Sequence, residues 1–340
     1  MKQNWLHYLI FGAAITAPVH SAEGTRGLEF AEAVRALIEP KPSIQGADPD
    51  WFFLVKELRH LSLGSFWERP WEEVAANKSN PVETMQEFHR QLEEKGIRLL
   101  VVPVPAKTSL YPEKLLTGFQ SGDVVSIAPF LEQIRKAGID VLDLEPVLLE
   151  AQKADSEVPL YCRQDAHFSP RTIELIAEFI AKSLAVTEPA PGGQFVVSEP
   201  ETLSISGDQI EGSEWEGKVD PEPLSVRFVS QQGTRGVKPD PASPVLLLGD
   251  SHTLVFHSGK EDGMHCHGAG LVDHLAARLG FAPDLVGVRG SGMIQARKQL
   301  FYKSSATPGY WVGKQVVIWL FSVREFTQST DRPVAIPLER

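Results

Sequence analysis

The chain has 340 residues, of which 42% are hydrophobic and 23% are charged. This composition supplies a substantial core for one large domain or two ordinary ones, and it argues against disordered, collagen-like and coiled-coil proteins. Thirty-three basic residues stand against 44 acidic ones, a formal charge of -11, and no stretch concentrates positive charge. Both features disfavour a nucleic-acid-binding protein. Two cysteines are too few for a disulfide scaffold or a thiolate zinc site.

The first 22 residues have the pattern of a secretory signal peptide. Lys2 precedes an apolar run at residues 5–17, and the small residues Val19 and Ser21 follow it at the spacing of a cleavage site. The run is shorter than the roughly 20 apolar residues that span a bilayer. We therefore predict that residues 23–340 are exported, with an uncleaved signal anchor as the alternative.

In the rest of the chain, helical patterns alternate with short apolar runs, which is typical of a parallel sheet covered by helices. In chain order the predicted elements are helix Val82–Lys95, strand Arg98–Val104, helix Ser126–Ala137, strand Asp140–Asp143, helix Pro170–Ala185, and strands Pro244–Gly249, Leu285–Val288 and Gln315–Phe321. Residues 187–244 are rich in Gly, Pro, Ser and acidic residues, with brief alternating runs that predict a small antiparallel β insertion. The expected architecture is one α/β domain over residues 23–340, a parallel sheet flanked by helices and carrying this insertion.

One predicted strand, residues 244–249, runs directly into a turn with a serine at its tip, Gly249-Asp250-Ser251. In α/β proteins, ligands gather at the carboxyl ends of the strands. A serine on a strand-to-helix turn exposes its hydroxyl and leaves its backbone N–H free to face an oxyanion. Ser251 is therefore the candidate nucleophile. The alternative is that these turn-favouring residues merely close the strand and cap a helix.

A polar loop at residues 161–170 carries Asp165 and His167 just before a predicted helix. A serine needs an imidazole to take its proton, and a carboxylate on the other ring nitrogen fixes the tautomer. Taken alone, the segment is also explained by an ordinary capped loop, but together the two segments predict an Asp165–His167–Ser251 triad. His252 could compete as the base. We prefer His167, because a neighbour along a tight turn generally points away from the preceding side chain.

At these residues the sequence resembles the alginate O-acetyltransferase family of AlgJ and AlgX, whose domain is a circularly permuted relative of the SGNH hydrolases. The resemblance covers most of residues 23–340, and Asp-x-His precedes the serine as in that family. Phe168 stands where family members usually have tryptophan, which keeps an aromatic surface without an N–H donor. The landmarks are residues 48–54, 102–107, 111–112, 165–167, 249–251, 268–271, 273–276, 316–319 and 324–326.

The resemblance implies a periplasmic, SGNH hydrolase-like O-acetyltransferase that uses no cofactor. Acetyl would pass from a membrane-bound O-acyltransferase partner to Ser251, and then to a hydroxyl of an exported polysaccharide, with His167 as base and acid and Asp165 orienting it. An uncleaved signal would add an association with the inner membrane. The alternatives are an acetylesterase with the same triad and a noncatalytic polysaccharide-binding or assembly protein. Because the chain is acidic, we expect a neutral or weakly charged acceptor and not the polyanion alginate.

Weaker candidates for the site follow the nucleophile in the chain. The turn Gly290-Ser291-Gly292 either adds an oxyanion donor to the Ser251 N–H or is a plain turn. Tyr310 and Trp311 precede the last strand and are candidates for the acceptor groove, against an ordinary core role. Arg297 either positions an acetyl or acidic group or is an exposed helix charge.

The cysteines and a histidine-rich segment remain. In an oxidising compartment, Cys162 and Cys266 either pair in a disulfide or stay separate buried thiols. His257, His265, Cys266 and His267 form a local cluster that suggests a metal. Ligands on adjacent residues rarely converge on one ion and the ligand set is incomplete, so we predict no metal site.

Overall fold

The computed structural model describes residues 22–184 and 195–340. The predicted signal peptide lies outside these residues, apart from its last position. In the described ranges, the helices are too short or too polar to cross a bilayer.

The described chain contains twelve α-helices and twelve strands. The α-helices are α1 (Ala22–Ala36), α2 (Val55–Leu61), α3 (Trp71–Val74), α4 (Pro81–Glu93), α5 (Lys107–Leu110), α6 (Pro112–Leu115), α7 (Ala128–Lys136), α8 (Glu145–Ala154), α9 (Pro170–Ser183), α10 (Leu271–Leu279), α11 (Ile294–Ala306) and α12 (Glu325–Gln328). The strands are β1 (Ser43–Gln45), β2 (Phe52–Leu54), β3 (Arg98–Val104), β4 (Asp140–Val141), β5 (Phe195–Val197), β6 (Glu201–Ile205), β7 (Glu222–Val226), β8 (Val229–Gln231), β9 (Thr234–Arg235), β10 (Val245–Gly249), β11 (Asp284–Gly287) and β12 (Val316–Ser322). Short 3-10 turns lie at Phe66–Glu68, Ser121–Asp123, Ser251–Thr253 and Lys260–Asp262.

The three predicted helices correspond to α4, α7 and α9, and their starts show two ways to begin a helix. Asn80 caps α4 by accepting the Val82 backbone N–H at 2.9 Å, and Pro81 occupies the first position. Pro170 likewise starts α9, but Ser169 does not cap a backbone N–H; its hydroxyl lies 3.3 Å from the Thr172 hydroxyl. The proline is therefore the stronger start signal for α9.

Five strands form the central sheet in the order β11-β10-β12-β3-β4, and all neighbouring pairs are parallel. In register, Leu247 of β10 lies beside Leu285 of β11 and Ile318 of β12. Both β10 and β12 are buried along their whole lengths, which explains why they are continuous apolar runs without polar alternation. The predicted parallel sheet flanked by helices is confirmed.

Residues 195–235 form two small antiparallel sheets outside the central one, β5-β8-β9 and β6-β7. They lie in the segment for which the sequence predicts an antiparallel insertion, residues 187–244, of which residues 187–194 are outside the described ranges. The pairing of β6 with β7 ends at Ile205 and Glu222. This end of the pair supplies contacts to the loop at residues 161–170.

The carboxyl ends of β3, β10 and β12 meet at one edge of the sheet. Gly249, the last residue of β10, packs so closely on its neighbour that a Cβ would run into the Leu320 carbonyl of β12. Glycine is required there by space. The chain then turns directly into Ser251–Thr253, so the candidate nucleophile lies at the edge where α/β proteins bind ligands.

Candidate active site

The nucleophile turn is held by the carboxylate that precedes the serine. Asp250 Oδ1 accepts the His252 backbone N–H at 3.0 Å, and Oδ2 accepts that of Ser322, at the end of β12, at 2.8 Å. The Asp250 carbonyl accepts the Thr253 hydroxyl at 2.7 Å. These contacts fix the turn at the end of β10, where Ser251 retains 7% exposure.

The loop that carries Asp165 and His167 is closed by backbone pairing. Tyr161 and Phe168 form an antiparallel bridge, and the Cys162 N–H donates to the His167 carbonyl at 3.1 Å. Inside the loop, Asp165 Oδ1 accepts the His167 backbone N–H at 2.9 Å, a local bond of the kind that aspartate makes in turns. Both side chains are therefore held on one short, closed loop.

The three predicted side chains form a continuous hydrogen-bonded chain. His167 Nδ1 lies 2.5 Å from Asp165 Oδ1, and His167 Nε2 lies 2.7 Å from Ser251 Oγ. With a neutral imidazole, this geometry requires that Nδ1–H donates to the carboxylate and that the serine hydroxyl donates to Nε2. The structure thus brings together residues that lie 84 positions apart in the sequence.

The charges around His167 favour its protonated form. Burial lowers the pKa of His167, but the attraction of Asp165 and their hydrogen bond outweigh burial and raise this pKa to about 9, with added attraction from Asp208 and Asp250. Burial raises the pKa of Asp165, but the charges and hydrogen bonds of His167 and His265 hold it well below its usual range. In the free site at neutral pH, His167 must therefore lose a proton before it can accept one from serine.

Buried charges from other elements hold the backbone of the same loop. Lys107, 1% exposed at the start of α5, donates from Nζ to the carbonyl oxygens of Arg163 and Asp165 at 2.8 and 3.1 Å. Glu222 of β7 accepts the backbone N–H groups of Arg163 and Gln164 at 2.9 and 3.0 Å. Sequence reasoning assigned no role to Lys107 and missed Glu222. The sequence signal for Lys107 was a lone lysine shortly after the buried strand β3, which ends at Val104.

Two groups distant in sequence also contact the Asp165 carboxylate. The Asp208 backbone N–H donates to Asp165 Oδ2 at 2.8 Å, and His265 Nε2 lies 2.8 Å from the same oxygen. The Asp208 carboxylate accepts the Ala166 N–H at 2.9 Å and lies 3.8 Å from His167 Nδ1. No local sequence pattern relates these residues to Asp165, from which they are 43 and 100 positions away.

His252, the competing candidate base, faces a different carboxylate. Its Nδ1 lies 3.1 Å from Asp250 Oδ1, and its ring packs edge-on against the rings of His167 and Phe168, with centroids 4.8 and 5.3 Å apart. Burial lowers the pKa of His252. The geometry therefore supports the choice of His167, whose Nε2 reaches the serine, and gives Phe168 a packing role.

The turn at residues 290–292 lies beside the nucleophile turn, but the Ser291 side chain and the Gly292 carbonyl form hydrogen bonds with other parts of the chain. A Cβ on Gly292 would lie 2.4 Å from Phe321 Cβ and 3.2 Å from the Asp250 backbone nitrogen, which explains the glycine. The Gly292 carbonyl accepts an indole N–H from β12, and the Ser291 hydroxyl donates to Asp331 Oδ2 at 2.7 Å. An oxyanion role for this turn, including Gly290, stays a prediction.

Tyr310 and Trp311 lie at the opposite edge of the sheet, so their assignment to an acceptor groove is wrong. Both precede the first residue of β12, and both are buried. The Tyr310 hydroxyl donates to Asp284 Oδ2, at the start of β11, at 2.5 Å. Residues that precede a parallel strand lie at its amino end, and Ser251 follows the carboxyl end of its strand. Both aromatic side chains are buried and belong to the core.

Arg297 is neither an exposed charge nor a group of the site. It is 2% exposed in α11, and its guanidinium lies 4.5 Å from the centre of the Phe88 ring. It also pairs with Glu87 at 2.6 Å and donates to the Ile336 carbonyl at 2.8 Å. Arg297 therefore fastens α11 to α4 and to the C-terminal segment.

Both cysteines are free thiols, so the disulfide alternative is wrong for this structure. Cys162 Sγ lies 3.6 Å from the Phe168 carbonyl, and Cys266 Sγ lies 3.8 Å from the Phe256 carbonyl. Burial raises the pKa of Cys266 to about 12. Each thiol packs within its own loop, as the alternative of two separate thiols expects.

The histidine-rich segment is divided among different partners. His257 Nδ1 lies 2.9 Å from Asp273 Oδ2, and His267 Nδ1 contacts the His257 carbonyl. Within residues 22–184 and 195–340, the possible metal ligands that lie close enough for one ion belong to the site itself: Asp165, His167 and Asp208. Two of these three already bond to each other, which leaves an incomplete ligand set.

Comparison with known proteins places this geometry in context. Residues 44–267 match the family model of the SGNH hydrolase-like domain, acetyltransferase AlgX. A probable alginate O-acetylase AlgJ from Pseudomonas syringae pv. tomato is 27% identical over 173 residues, which cover 50% of this chain and 41% of the relative. The probable AlgJ of Pseudomonas fluorescens is 31% identical over 182 residues, 48% and 44% of the two chains. The chain spans less than half the length of these curated relatives.

Solved structures resemble most of the fold. The O-acetyltransferase domain of Pseudomonas putida AlgJ aligns with a TM-score of 0.63 and 20% identity, over 85% of this chain and 93% of that one. Pseudomonas aeruginosa AlgX aligns with a TM-score of 0.55 and 19% identity, over 82% and 61%. The predicted SGNH hydrolase-like architecture is confirmed.

Proposed function

Because the chain belongs to the family of SGNH hydrolase-like acetyltransferase domains, we propose that it transfers acetyl groups to hydroxyls of a polysaccharide through an acetyl-Ser251 intermediate. The observation that carries the proposal is the unbroken path of 2.5 and 2.7 Å contacts from Asp165 through His167 to the serine hydroxyl. This is the arrangement that lets an imidazole activate a serine.

In the first half-reaction, Ser251 Oγ attacks the carbonyl carbon of an acetyl ester donor while His167 Nε2 takes the hydroxyl proton. The tetrahedral oxyanion is expected to face the Ser251 backbone N–H. When it collapses, the bond between carbonyl carbon and donor oxygen breaks, and His167 gives its proton to the departing oxygen. The products are acetyl-Ser251 and the donor alcohol, and Asp165 stabilises the imidazolium that forms between the two steps.

In the second half-reaction, a sugar hydroxyl attacks the acetyl-serine carbonyl and gives its proton to His167. Ser251 Oγ leaves and recovers that proton, so the enzyme returns to its starting state. Water in place of the sugar would make the same site an esterase. The difference between transferase and esterase therefore lies in which hydroxyl reaches the acyl-enzyme first.

The donor and the compartment form part of the proposal. The predicted signal peptide supports a periplasmic site of action. Acetyl transfer in the periplasm requires that acetyl groups cross the inner membrane. A membrane-bound O-acyltransferase partner would deliver them. Fractionation of cells that make the full chain tests the location: recovery in the cytoplasm would contradict it.

The overall charge of -11 supports a neutral or weakly charged acceptor. Binding of neutral oligosaccharides should then be insensitive to salt, whereas a polyuronate should bind weakly at low salt. Tight polyuronate binding at low salt that weakens as salt rises would contradict this part of the proposal.

The central test is turnover of a chromogenic acetyl ester with and without oligosaccharide acceptors. We expect acetylated sugar in the mass spectrum and an acetyl adduct on the peptide that contains Ser251. Ser251→Ala is the matched control, because it removes one hydroxyl and leaves the turn contacts of Asp250 in place. Turnover by the wild type without any acetylated sugar would identify an esterase, and equal turnover by Ser251→Ala would overturn the proposed nucleophile.

A further inference from the structure

The Asp165 carboxylate accepts four donors. Oδ1 accepts the backbone N–H and the Nδ1–H of His167, and Oδ2 accepts the Asp208 N–H and, at 2.8 Å, His265 Nε2. His265 is the one side chain among them that is not part of the triad, and its side chain is 8% exposed. The triad acid is therefore bonded on its far side by a second imidazole.

The segment between Ser251 and α10 folds back on itself, which brings His265 into contact with Asp165. Phe256 and His265 both adopt left-handed backbone, with φ of 58° and 64°, which is unfavourable for residues with large side chains. Backbone bonds hold this shape: Phe256 N–H donates to the Met264 carbonyl at 2.9 Å, and Ala269 N–H donates to the Phe256 carbonyl at 2.8 Å. Strained backbone that is held by its surroundings is typical of functional sites.

We propose that His265 is a positioning residue that limits how tightly Asp165 holds the proton on His167. A donor on Oδ2 draws negative charge away from Oδ1, so the imidazolium on the other side is stabilised less. The neutral, base form of His167 is then populated at a lower pH than it would be without His265. This role rests on the proposed function, because it concerns the base of that reaction.

Several charged groups face His167 and must be separated from the effect of His265. Asp208 of the insertion and Asp250 of the nucleophile turn raise the His167 pKa together with Asp165, and the His252 ring packs against it. None of these groups is altered by a substitution at His265. A change in the pH dependence of such a variant would therefore report the bond on Asp165 Oδ2.

The experiment compares His265→Leu, which fills the space without a donor, with His265→Gln, which keeps a side-chain N–H. Leucine and glutamine are both unbranched at Cβ. The two variants therefore have similar backbone strain at this left-handed position. We expect the His167 pKa to rise by about one unit in His265→Leu. At pH 7 the fraction of His167 in the base form, and with it kcat/KM, should then fall about tenfold. At a pH above the raised pKa, kcat/KM should return to the wild-type value. His265→Gln should keep the wild-type profile within about threefold.

The His167 pKa is measured in each variant by NMR titration of labelled histidine, which needs no turnover. If wild-type protein fails to turn over acetyl esters while the His265→Leu pKa shift is present, the proposed function fails and the role of His265 stands. An equal loss of kcat/KM at every pH in His265→Leu, or an unchanged or lower His167 pKa, overturns the role. His267→Leu, on the same segment but bonded to a backbone carbonyl, is the control for general damage to the loop and should leave the His167 pKa unchanged.

Discussion

The two edges of the central sheet each bury an aspartate, but they surround it differently. At the amino edge, Asp284 is 0% exposed and faces Lys303 Nζ at 2.5 Å, Lys314 Nζ at 3.5 Å and the Tyr310 hydroxyl at 2.5 Å. At the carboxyl edge, Asp165 is just as buried but faces two histidines.

The difference in partners indicates what a buried carboxylate needs in order to support proton transfer. The partners of the carboxylate at the amino edge are lysine ammonium groups and a tyrosine hydroxyl, so that edge is a structural ion cluster. An imidazole can both accept and donate a proton, and one of the two beside Asp165 leads on to a serine hydroxyl. Both edges bury a charged carboxylate, and the carboxyl edge connects it through an imidazole to the candidate nucleophile Ser251.

The largest expected effect is loss of the hydroxyl at the end of that path. Ser251→Ala should lower kcat for acetyl ester turnover by about a thousandfold or more, because acyl-enzyme formation needs the nucleophile. Its melting temperature should stay close to that of the wild type. Turnover is followed with a chromogenic ester, and near-normal activity in the variant would remove the functional distinction between the edges.

At the amino edge the corresponding change should affect stability and leave chemistry intact. Asp284→Asn leaves buried Lys314 without its counter-charge, and breaking a buried ion pair in this way costs about 3–5 kcal/mol of unfolding free energy. Denaturant titration measures the loss. Activity per folded molecule should be unchanged, and a variant that is fully stable but inactive would reverse the roles of the two edges.

The pH dependence sharpens the comparison further. Because the pKa of His167 is raised to about 9, its base form grows as pH rises from 7 to 9, and kcat/KM should rise about fiftyfold across that interval. The same raised pKa stabilises the folded state most below about pH 6.5, and this contribution is lost as pH rises through 9. Rates corrected for the Ser251→Ala background test the profile, and a plateau reached by pH 7 would contradict it.

The smallest expected effect comes from Tyr310→Phe. It removes one hydrogen bond to the Asp284 carboxylate, worth about 1.5–3 kcal/mol for a charged acceptor. Thermal or denaturant unfolding should detect the loss, while kcat/KM and its pH profile should match the wild type. Altered selectivity among oligosaccharide acceptors would instead return Tyr310 to the substrate site.

The sheet could be predicted because fully buried parallel strands are continuous apolar runs, and each of the five predicted strands overlaps an observed one. Helix α11 was not predictable in the same way. It buries Arg297 and Ser304 beside apolar residues, so its sequence lacks a clean apolar stripe. Tyr310 and Trp311 show a different limit of sequence-based prediction. Their aromatic rings made them candidates for a sugar-binding groove, but the direction of β12 places them at the amino edge of the sheet.

The three side chains of the proposed triad could be predicted because the proposed chemistry requires particular residue types in short segments. Their supporting contacts could not. Lys107, Glu222 and His265 reach residues 163–165 from three other parts of the chain, and single-sequence reasoning carries no information on which distant segments meet. The candidate reacting groups follow from chemical requirements, whereas the residues that surround them follow from tertiary structure.

The antiparallel insertion also has a consequence for the order of folding. Asp208 and Glu222 give the Asp165 loop several of its hydrogen bonds, yet the five strands of the central sheet can pair without either residue. During refolding, the sheet can therefore form before the triad acid has all its donors, and enzyme activity should recover later than sheet structure. Excision of residues 195–235 would remove both anchors together with Ile205, Val226 and Phe228, which pack in the main core.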